Sequence, residues 1–128
     1  MNKRILIVDD DTDILDMLNL TFNVWCPECR IVLANNGLEA LIQLQLREGT
    51  QPFDIVLTDY DMPYMNGLDL AQEIRQKWPN IHIILMSGGQ LGKDFQEKTS
   101  PEFDRFIQKP FVMQQIKQIF LGNSGILH

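Results

Sequence analysis

The chain has little positive charge, few cysteines and histidines, and no long hydrophobic run. Eleven Lys and Arg residues against seventeen Asp and Glu give a net charge of −6, which argues against a nucleic-acid-binding face, because such faces are basic. The acidic balance does not exclude a cationic partner or a metal ion. After the basic start Met1–Arg4, the apolar run stops at Val8, which is too short for a signal peptide or a membrane span. We therefore expect a cytoplasmic location.

The two cysteines, Cys26 and Cys29, follow a tryptophan in a Trp-Cys-x-x-Cys sequence. Thioredoxin-like proteins have a similar sequence, but there the first cysteine opens a helix that follows a strand. Here the pair follows a predicted helix and precedes a strand, with Pro27 as a helix stop. A zinc site would need further ligands, and the only histidines, His82 and His128, are distant in sequence. The pattern favours a plain loop with two reduced thiols over a redox or metal role.

Strand-like and helix-like segments alternate five times along the chain. Short apolar runs predict buried strands at Arg4–Val8, Arg30–Ala34, Phe53–Thr58, Ile81–Met86 and Arg105–Gln108. Apolar residues at helical spacing predict a first helix from an N-cap at Asp11 or Thr12 to Pro27, a second from Leu38 to Gly49, a third from Gly67 to Trp78, a short or irregular one within Gln90–Asp104, and a last one from Val112 to Phe120. Alternation with short connections indicates an α/β fold with a doubly wound parallel sheet. The expected strand order is the flavodoxin-like 2-1-3-4-5, with the switch point between the first and third strands.

A chain of 128 residues is long enough for one domain around one core. We find no internal repeat and no low-complexity tract. We expect residues 3–121 to form this single domain, and residues 122–128 to be a C-terminal tail or the start of a linker.

Polar side chains follow the predicted strands at their carboxyl ends. Asp9 and Asp10 follow the first strand, Asp59 the third, Ser87 the fourth and Lys109 the fifth. Because parallel strands end at the same edge of a sheet, these five positions are expected to meet in one crevice, which is where open α/β sheets bind ligands.

The expected cluster has the parts needed for phosphoryl transfer. Clustered carboxylates without histidine or cysteine suit Mg²⁺, and without a cation they would raise each other's pKa. Asp59 can supply the oxygen nucleophile, since carboxylates form acyl phosphates in other enzymes. Lys109 offers a positive charge and Ser87 a neutral donor for phosphoryl oxygens. The sequence therefore predicts that Asp59 is a phosphoryl acceptor.

Several short motifs resemble the receiver domain of two-component response regulators, the CheY-like domains, over roughly residues 3–121. They are Val8-Asp9-Asp10, Leu57-Thr58-Asp59-Tyr60-Asp61-Met62-Pro63 with Asn66-Gly67, Met86-Ser87-Gly88 and Lys109-Pro110-Phe111. Each motif alone is common, but all of them in this order at strand ends form a specific pattern.

The resemblance implies a role for each matching position. Asp59 would be phosphorylated by a histidine kinase or a histidine phosphotransfer domain. Asp10, Asp59 and the backbone carbonyl of Asp61 would bind Mg²⁺, for which Mn²⁺ can substitute, and Asp9 would act through a metal-bound water. Ser87 and Lys109 would bind the phosphoryl group, and Phe106 would be the switch aromatic. The Lys109–Pro110 bond would be cis, which would direct the lysine side chain to the site.

The resemblance also implies a signalling protein, not a turnover enzyme, although it would catalyse its own phosphorylation and dephosphorylation. Its output partner, an unidentified domain or protein, would bind a face made by the helix after the fourth strand, the fifth strand and the last helix. No direct nucleic-acid or membrane contact is expected, and the chain would be a monomer or a phosphorylation-dependent dimer.

Three positions depart from the family pattern. Asp61 adds negative charge beside the incoming phosphoryl group, Gly89 offers no side chain where one often tunes the attacking water, and Glu102–Asp104 replaces the usual small residues. The complete set of acids, hydroxyl and lysine argues against a degenerate receiver that only docks a partner, but Asp61 keeps this alternative open.

Other interpretations remain for single features. Asp59-Tyr60-Asp61 also fits the Asp-x-Asp motif of haloacid-dehalogenase-type phosphatases, although that motif lies on the first strand and here it is on the third. Taken alone, Ser87 also fits a hydroxyl bonded to nearby backbone, and Phe106 a packed strand aromatic.

Overall fold

Five parallel strands form one sheet in a computed structural model that describes residues 3–47, 51–89, 101–110 and 113–121. The strands are β1 Arg4–Val8, β2 Arg30–Ala34, β3 Ile55–Asp59, β4 His82–Ser87 and β5 Arg105–Gln108. The described helices are α1 Thr12–Trp25, α2 Gly37–Leu46, α3 Gly67–Lys77 and α4 Met113–Leu121. The strand order is β2-β1-β3-β4-β5 and the four ladders are parallel, so the predicted flavodoxin-like arrangement is confirmed.

Alternate residues of β1 enter two hydrophobic cores, one on each face of the sheet. Ile5 and Ile7 pack with residues of α1 and α4, and Leu6 and Val8 pack with residues of α2 and α3. Successive strand side chains point to opposite faces, so a strand that is covered on both sides is apolar throughout. Burial of each of these side chains contributes roughly 1.5–3 kcal/mol.

Polar side chains cap the N-termini of three helices, α1, α2 and α3. The carboxylate of Asp11 accepts hydrogen bonds from the amides of Asp13 and Ile14, which confirms the predicted cap of α1. Asn36 caps α2 and Asn66 caps α3, each accepting an amide hydrogen bond at 2.8 Å. Each cap stabilises its helix by about 1 kcal/mol and fixes the loop on the functional edge of the sheet.

Two strands end one residue later than the sequence predicts. β3 ends at Asp59 and β4 at Ser87, because their backbones still pair with the neighbouring strands, Asp59 opposite Met86 and Ser87 opposite Gln108. Both residues therefore lie at the sheet edge itself, with the rigid backbone of a ladder behind them.

The prediction of two reduced thiols is wrong. Cys26 and Cys29 form a disulfide bond, and both are buried. The amide of Cys29 donates to the carbonyl of Cys26 at 3.0 Å, and this closed turn brings the two Cα atoms to 5.3 Å, within the range that a disulfide spans. Residue spacing alone does not show that the turn closes.

Some predictions fall outside the described residues. They concern most of the helix within Gln90–Asp104, the end of the second helix at Gly49, the residues Phe111 and Val112, and the tail at residues 122–128. From the first of these segments, Phe103 is described, and it is buried. Among the described helices, none is long and apolar enough to cross a bilayer.

Candidate functional site

Three carboxylates meet at the carboxyl edge of the sheet. Asp9 and Asp10 follow β1, and Asp59 ends β3, which is the neighbour of β1 with Val8 opposite Thr58. One oxygen from each of the three carboxylates lies within 4.8 Å of the others. Asp9 and Asp59 are buried, with exposed fractions of 1% and 5%, whereas Asp10 is exposed. The predicted meeting of these acids is thus observed.

Lys109 joins the two buried carboxylates. Its Nζ lies 3.0 Å from Oδ1 of Asp59 and 3.2 Å from Oδ2 of Asp9. The lysine follows β5, and its amide donates to the carbonyl of Ser87 at 2.7 Å, which fixes the loop against the end of β4. The Lys109–Pro110 peptide bond is cis, as the resemblance implies. One ammonium group therefore sits between two acids from different strands.

The hydroxyl of Ser87 is fully buried at the end of β4. Within the part of the chain that the structure describes, its Oγ makes no hydrogen bond, so the alternative of bonding to nearby backbone does not hold there. An unsatisfied buried hydroxyl costs about 1–3 kcal/mol. A ligand oxygen at this edge of the sheet would satisfy it.

Burial and mutual repulsion raise the pKa values of the acids. The pKa of Asp59 rises to about 6, first because its carboxylate is buried and then because of the charge of Asp9, while Lys109 opposes the shift. Burial likewise raises the pKa of Asp9. Burial alone would lower the pKa of Lys109, but Asp59 and Asp9 hold it above its ordinary value. At neutral pH the carboxylate of Asp59 is therefore ionised, at a cost in free energy.

The donor set fits a divalent cation with hard oxygen ligands. Three carboxylates and one ammonium leave two negative charges in a partly buried space. No histidine or cysteine joins this cluster among the residues described, which suits Mg²⁺ better than zinc or copper. Asp10, the exposed member, lies on the side open to solvent.

The sequence matches the family described as response regulator receiver domain over residues 5–121. The chain belongs to the response regulator receiver family. The match leaves the phosphatase alternative without support, since the acidic motif lies on the third strand of a receiver sheet.

Known proteins show the same relationship. The receiver is 34% identical to response regulator protein PilR of Pseudomonas aeruginosa over 118 residues, covering 91% of this chain and 25% of PilR. The chain thus spans about a quarter of that curated relative. Among solved structures, response regulator TrrA of Thermotoga maritima, in complex with Mg²⁺ and BeF, is 31% identical with a TM-score of 0.76, over 91% of this chain and 94% of that one. Chemotaxis protein CheY4 of Vibrio cholerae, at 22% identity and a TM-score of 0.76 over 92% and 95%, shares the fold.

Three further residues singled out in the sequence lie outside the receiver's acidic cluster. Asp61 is exposed, and its charge adds to the raised pKa of Asp59. Phe106 is half-buried on β5, opposite Leu85 of β4, with its ring 6.5 Å from that of Phe103. Gly89 has a positive φ of 63°, and no atom of the described residues lies within 4 Å of the position of a Cβ atom. Asp61 thus acts on the acidic cluster through its charge, whereas Phe106 lies on β5, next to β4.

Sequence reasoning missed the part played by Gly67. The sequence places Gly67 at the start of α3 and within one of the receiver motifs, but it does not show the steric reason for a glycine. A Cβ atom there would collide with the carbonyl oxygen of Asp59 and lie 2.9 Å from the Cα of Tyr60. The amide of Gly67 also donates to the carbonyl of Tyr60 at 2.8 Å.

We expect the metal-free receiver to lose stability as the pH rises through about 6. Since the pKa of Asp59 is raised from 3.8 to about 6, the native state binds more protons than the unfolded state between these values, and unfolding becomes easier as the proton leaves. The full effect is up to about 3 kcal/mol. Thermal unfolding of the protein and of Asp59→Asn in EDTA, from pH 4 to 8, measures it.

The variant is the reference because it lacks this titration, while groups outside the acidic cluster titrate alike in both proteins. Asp104, whose pKa is lowered against the effect of burial by hydrogen bonds from the Ile83 amide and Arg75, changes stability in the opposite direction in both proteins. The Tm of Asp59→Asn should be higher than that of the parent above pH 4. This difference in Tm should grow up to about pH 6 and stay constant above it. A difference that does not vary with pH would contradict the raised pKa.

Proposed function

We propose that Asp59 accepts a phosphoryl group from a phosphohistidine of a histidine kinase or phosphotransfer domain. The observation that carries the proposal is the position of its carboxylate, buried at the end of β3 with the Lys109 amine 3.0 Å away and two further acids beside it. A pKa of about 6 leaves the carboxylate ionised at neutral pH, as a nucleophile requires.

Each residue has a separate role in the proposed transfer. An oxygen of Asp59 attacks phosphorus in line, the phosphorus–nitrogen bond of the donor breaks, and its electron pair stays on the imidazole, which takes up a proton. Lys109 releases its contact with Asp59 and pairs with a phosphoryl oxygen, and Ser87 donates its unused hydroxyl to another. Asp10, Asp59 and the carbonyl of Asp61 would hold Mg²⁺ or Mn²⁺, with Asp9 acting through water. When bound, the metal neutralises charge on the transferred group.

The proposed outcome is a change of partner affinity. The phosphoryl group adds negative charge at Asp59, and Lys109 and Ser87 follow it from the ends of β5 and β4. Phe106, on the same strand as the Lys109 loop, then exchanges between two rotamers and alters the output face. The protein would catalyse its own phosphorylation and dephosphorylation, and its function would be signalling in the cytoplasm.

We also propose domain boundaries. Residues 3–121 would form the receiver and residues 122–128 a tail or the start of a linker.

The receiver would be a monomer or a phosphorylation-dependent dimer. It would bind an output domain or protein through the output face.

Direct phosphorylation tests the proposal without knowledge of the kinase. The protein is incubated with acetyl phosphate and Mg²⁺, or with beryllofluoride, and followed by intact mass and by the fluorescence of Trp25 and Trp78. We expect a mass gain of one phosphoryl group that requires Mg²⁺ and is absent in EDTA. Failure to form any Mg²⁺-dependent adduct would leave a degenerate receiver that acts only by docking.

Replacing Lys109 by methionine should slow phosphorylation by about 10²–10³-fold. The change keeps the length of the side chain but removes the amine that faces Asp59 and Asp9, and the loss of one such electrostatic contact typically costs this much. Stopped-flow fluorescence with acetyl phosphate gives the rate. Lys77→Met is the matched control, because Lys77 is an exposed lysine of α3 with a long 3.9 Å pair to Glu73; equal slowing in both variants would refute the role of Lys109.

A further inference from the structure

The Cys26–Cys29 bond has no part in the proposed transfer and occupies a defined place in the fold. Cys26 is the C-cap of α1, and its amide donates to the carbonyl of Phe22 at 2.8 Å. Cys29 directly precedes β2, whose first amide, of Arg30, donates to the carbonyl of Lys3. The bond therefore joins the end of a helix to the start of the edge strand of the sheet.

Both sulfur-bearing residues are part of the core and not of the surface. Cys26 is 4% exposed and Cys29 7%, and both belong to the cluster that α1 and α4 share over the sheet. In that cluster the ring of Phe22 packs edge-on against Phe120 at 4.6 Å and against Trp25 at 5.5 Å. Breaking the bond between the two sulfur atoms is thus expected to alter the packing of α1 against the core.

We propose that Cys26 and Cys29 form a reversible redox site, a dithiol–disulfide pair that dithiol reductants open and that fixes the C-terminal end of α1 to the start of β2. Pairs separated by two residues are the usual form of exchanging cysteines. In the reducing cytoplasm that we propose for this protein, a disulfide is usually transient and redox-sensing.

The exchange has a balanced course. A thiolate of the external dithiol attacks one sulfur, a mixed disulfide forms, and the other cysteine leaves as a thiolate that takes up a proton. The second thiol of the reductant then displaces the first cysteine, so that two electrons and two protons reach the protein and the reductant becomes a disulfide.

The position in the fold determines the speed and the effect of this exchange. The pair lies at the negative end of the dipole of α1, which does not stabilise a thiolate, and its sulfurs are buried, so the turn at residues 26–29 must open before attack. After reduction the two thiols separate to van der Waals contact within a close-packed core. The last turn of α1 and the edge strand β2 must then move apart to make room for the two thiols.

Alkylation and fluorescence test the proposal on the folded protein. The variant Trp78→Phe leaves Trp25 as the single tryptophan, next to Cys26 in sequence. The protein is equilibrated in dithiothreitol buffers from fully oxidised to fully reduced, freed of the reductant, treated with N-ethylmaleimide and weighed. We expect no alkylation in oxidised dithiothreitol and two alkyl groups after reduction. The emission of Trp25 should rise in step, because a nearby disulfide quenches indole, and reoxidation should reverse both changes.

Coupling to α1 is measured separately. Reduction should lower the Tm by roughly 5 °C, as expected for the loss of a four-residue ring, and should speed hydrogen exchange of the Cys26 amide. The variant Cys26→Ser/Cys29→Ser is the control, and reductant should not change its emission or its Tm. Alkylation by the oxidised protein, resistance to dithiols until the protein is denatured, or reduction without a change at Trp25 and Cys26 would each overturn the proposal; the wild-type mass measurement decides even when the double variant does not fold.

Discussion

Asp59→Asn is expected to abolish the Mg²⁺-dependent mass gain from acetyl phosphate. The amide keeps the shape of the side chain but lacks the ionised oxygen that attacks phosphorus. The neighbouring acids cannot replace it in the native arrangement, since Asp9 is held by the amide of Asp11 and by Lys109, and Asp10 is exposed to solvent. Intact mass after incubation with acetyl phosphate and Mg²⁺ gives the result directly.

The matched control is the same substitution at an acid outside the cluster. Asp69 is an exposed aspartate in the first turn of α3, and Asp69→Asn should gain the phosphoryl mass like the parent protein. Asp61→Asn is a third comparison, since it removes the extra charge near Asp59 and keeps the carbonyl oxygen; it should still be phosphorylated. An adduct that persists in Asp59→Asn would defeat the assignment of the acceptor.

Gly67→Ala is expected to destabilise the fold by about 2–4 kcal/mol. Helix propensity alone predicts the opposite, because alanine is favoured over glycine in a helix by about 1 kcal/mol. The added methyl group, however, would meet the carbonyl of Asp59 and would lie 2.8 Å from Cδ1 of Leu85. Asp59 is paired with Met86 in the sheet, and Leu85 is fully buried in the core. The sign of the change in urea or thermal unfolding therefore separates the two effects.

Gly88→Ala is the control for this substitution. A Cβ atom at Gly88 would have its nearest contact with Cβ of Lys109 at 3.4 Å, an ordinary van der Waals distance. Its stability should change by less than about 0.5 kcal/mol. If the two alanine variants were equally stable, the close approach of α3 to the end of β3 would not constrain the fold.

The sequence predicts the framework of the receiver because the framework depends on runs and periods. The unbroken apolar residues of β1 reflect burial on two faces, and the acids that follow β1 and end β3 meet because parallel strands share an edge. Asp59, Asp9 and Lys109 could be placed together on this basis alone. The roles assigned to the site residues, Phe106 and Asp61 included, remain predictions.

Other features depend on distances that no local pattern encodes. The disulfide requires that the turn after α1 closes, which depends on how Cys26 ends the helix, and the need for glycine at position 67 arises from a carbonyl that lies on another element. That the Ser87 hydroxyl has no hydrogen-bond partner among the described residues appears only when its surroundings are known in three dimensions. In each case the decisive contact is made between elements and not within one.

The contact between Lys109 and Asp9 joins residues 100 positions apart. A ribosome that has made the first hundred residues has already supplied all the acids of the site, but not the amine that balances them. A chain cut short before β5 would carry a negative pocket without its compensating amine, even if its remaining strands paired. We therefore expect rapid acceptance of a phosphoryl group only after synthesis has passed the fifth strand.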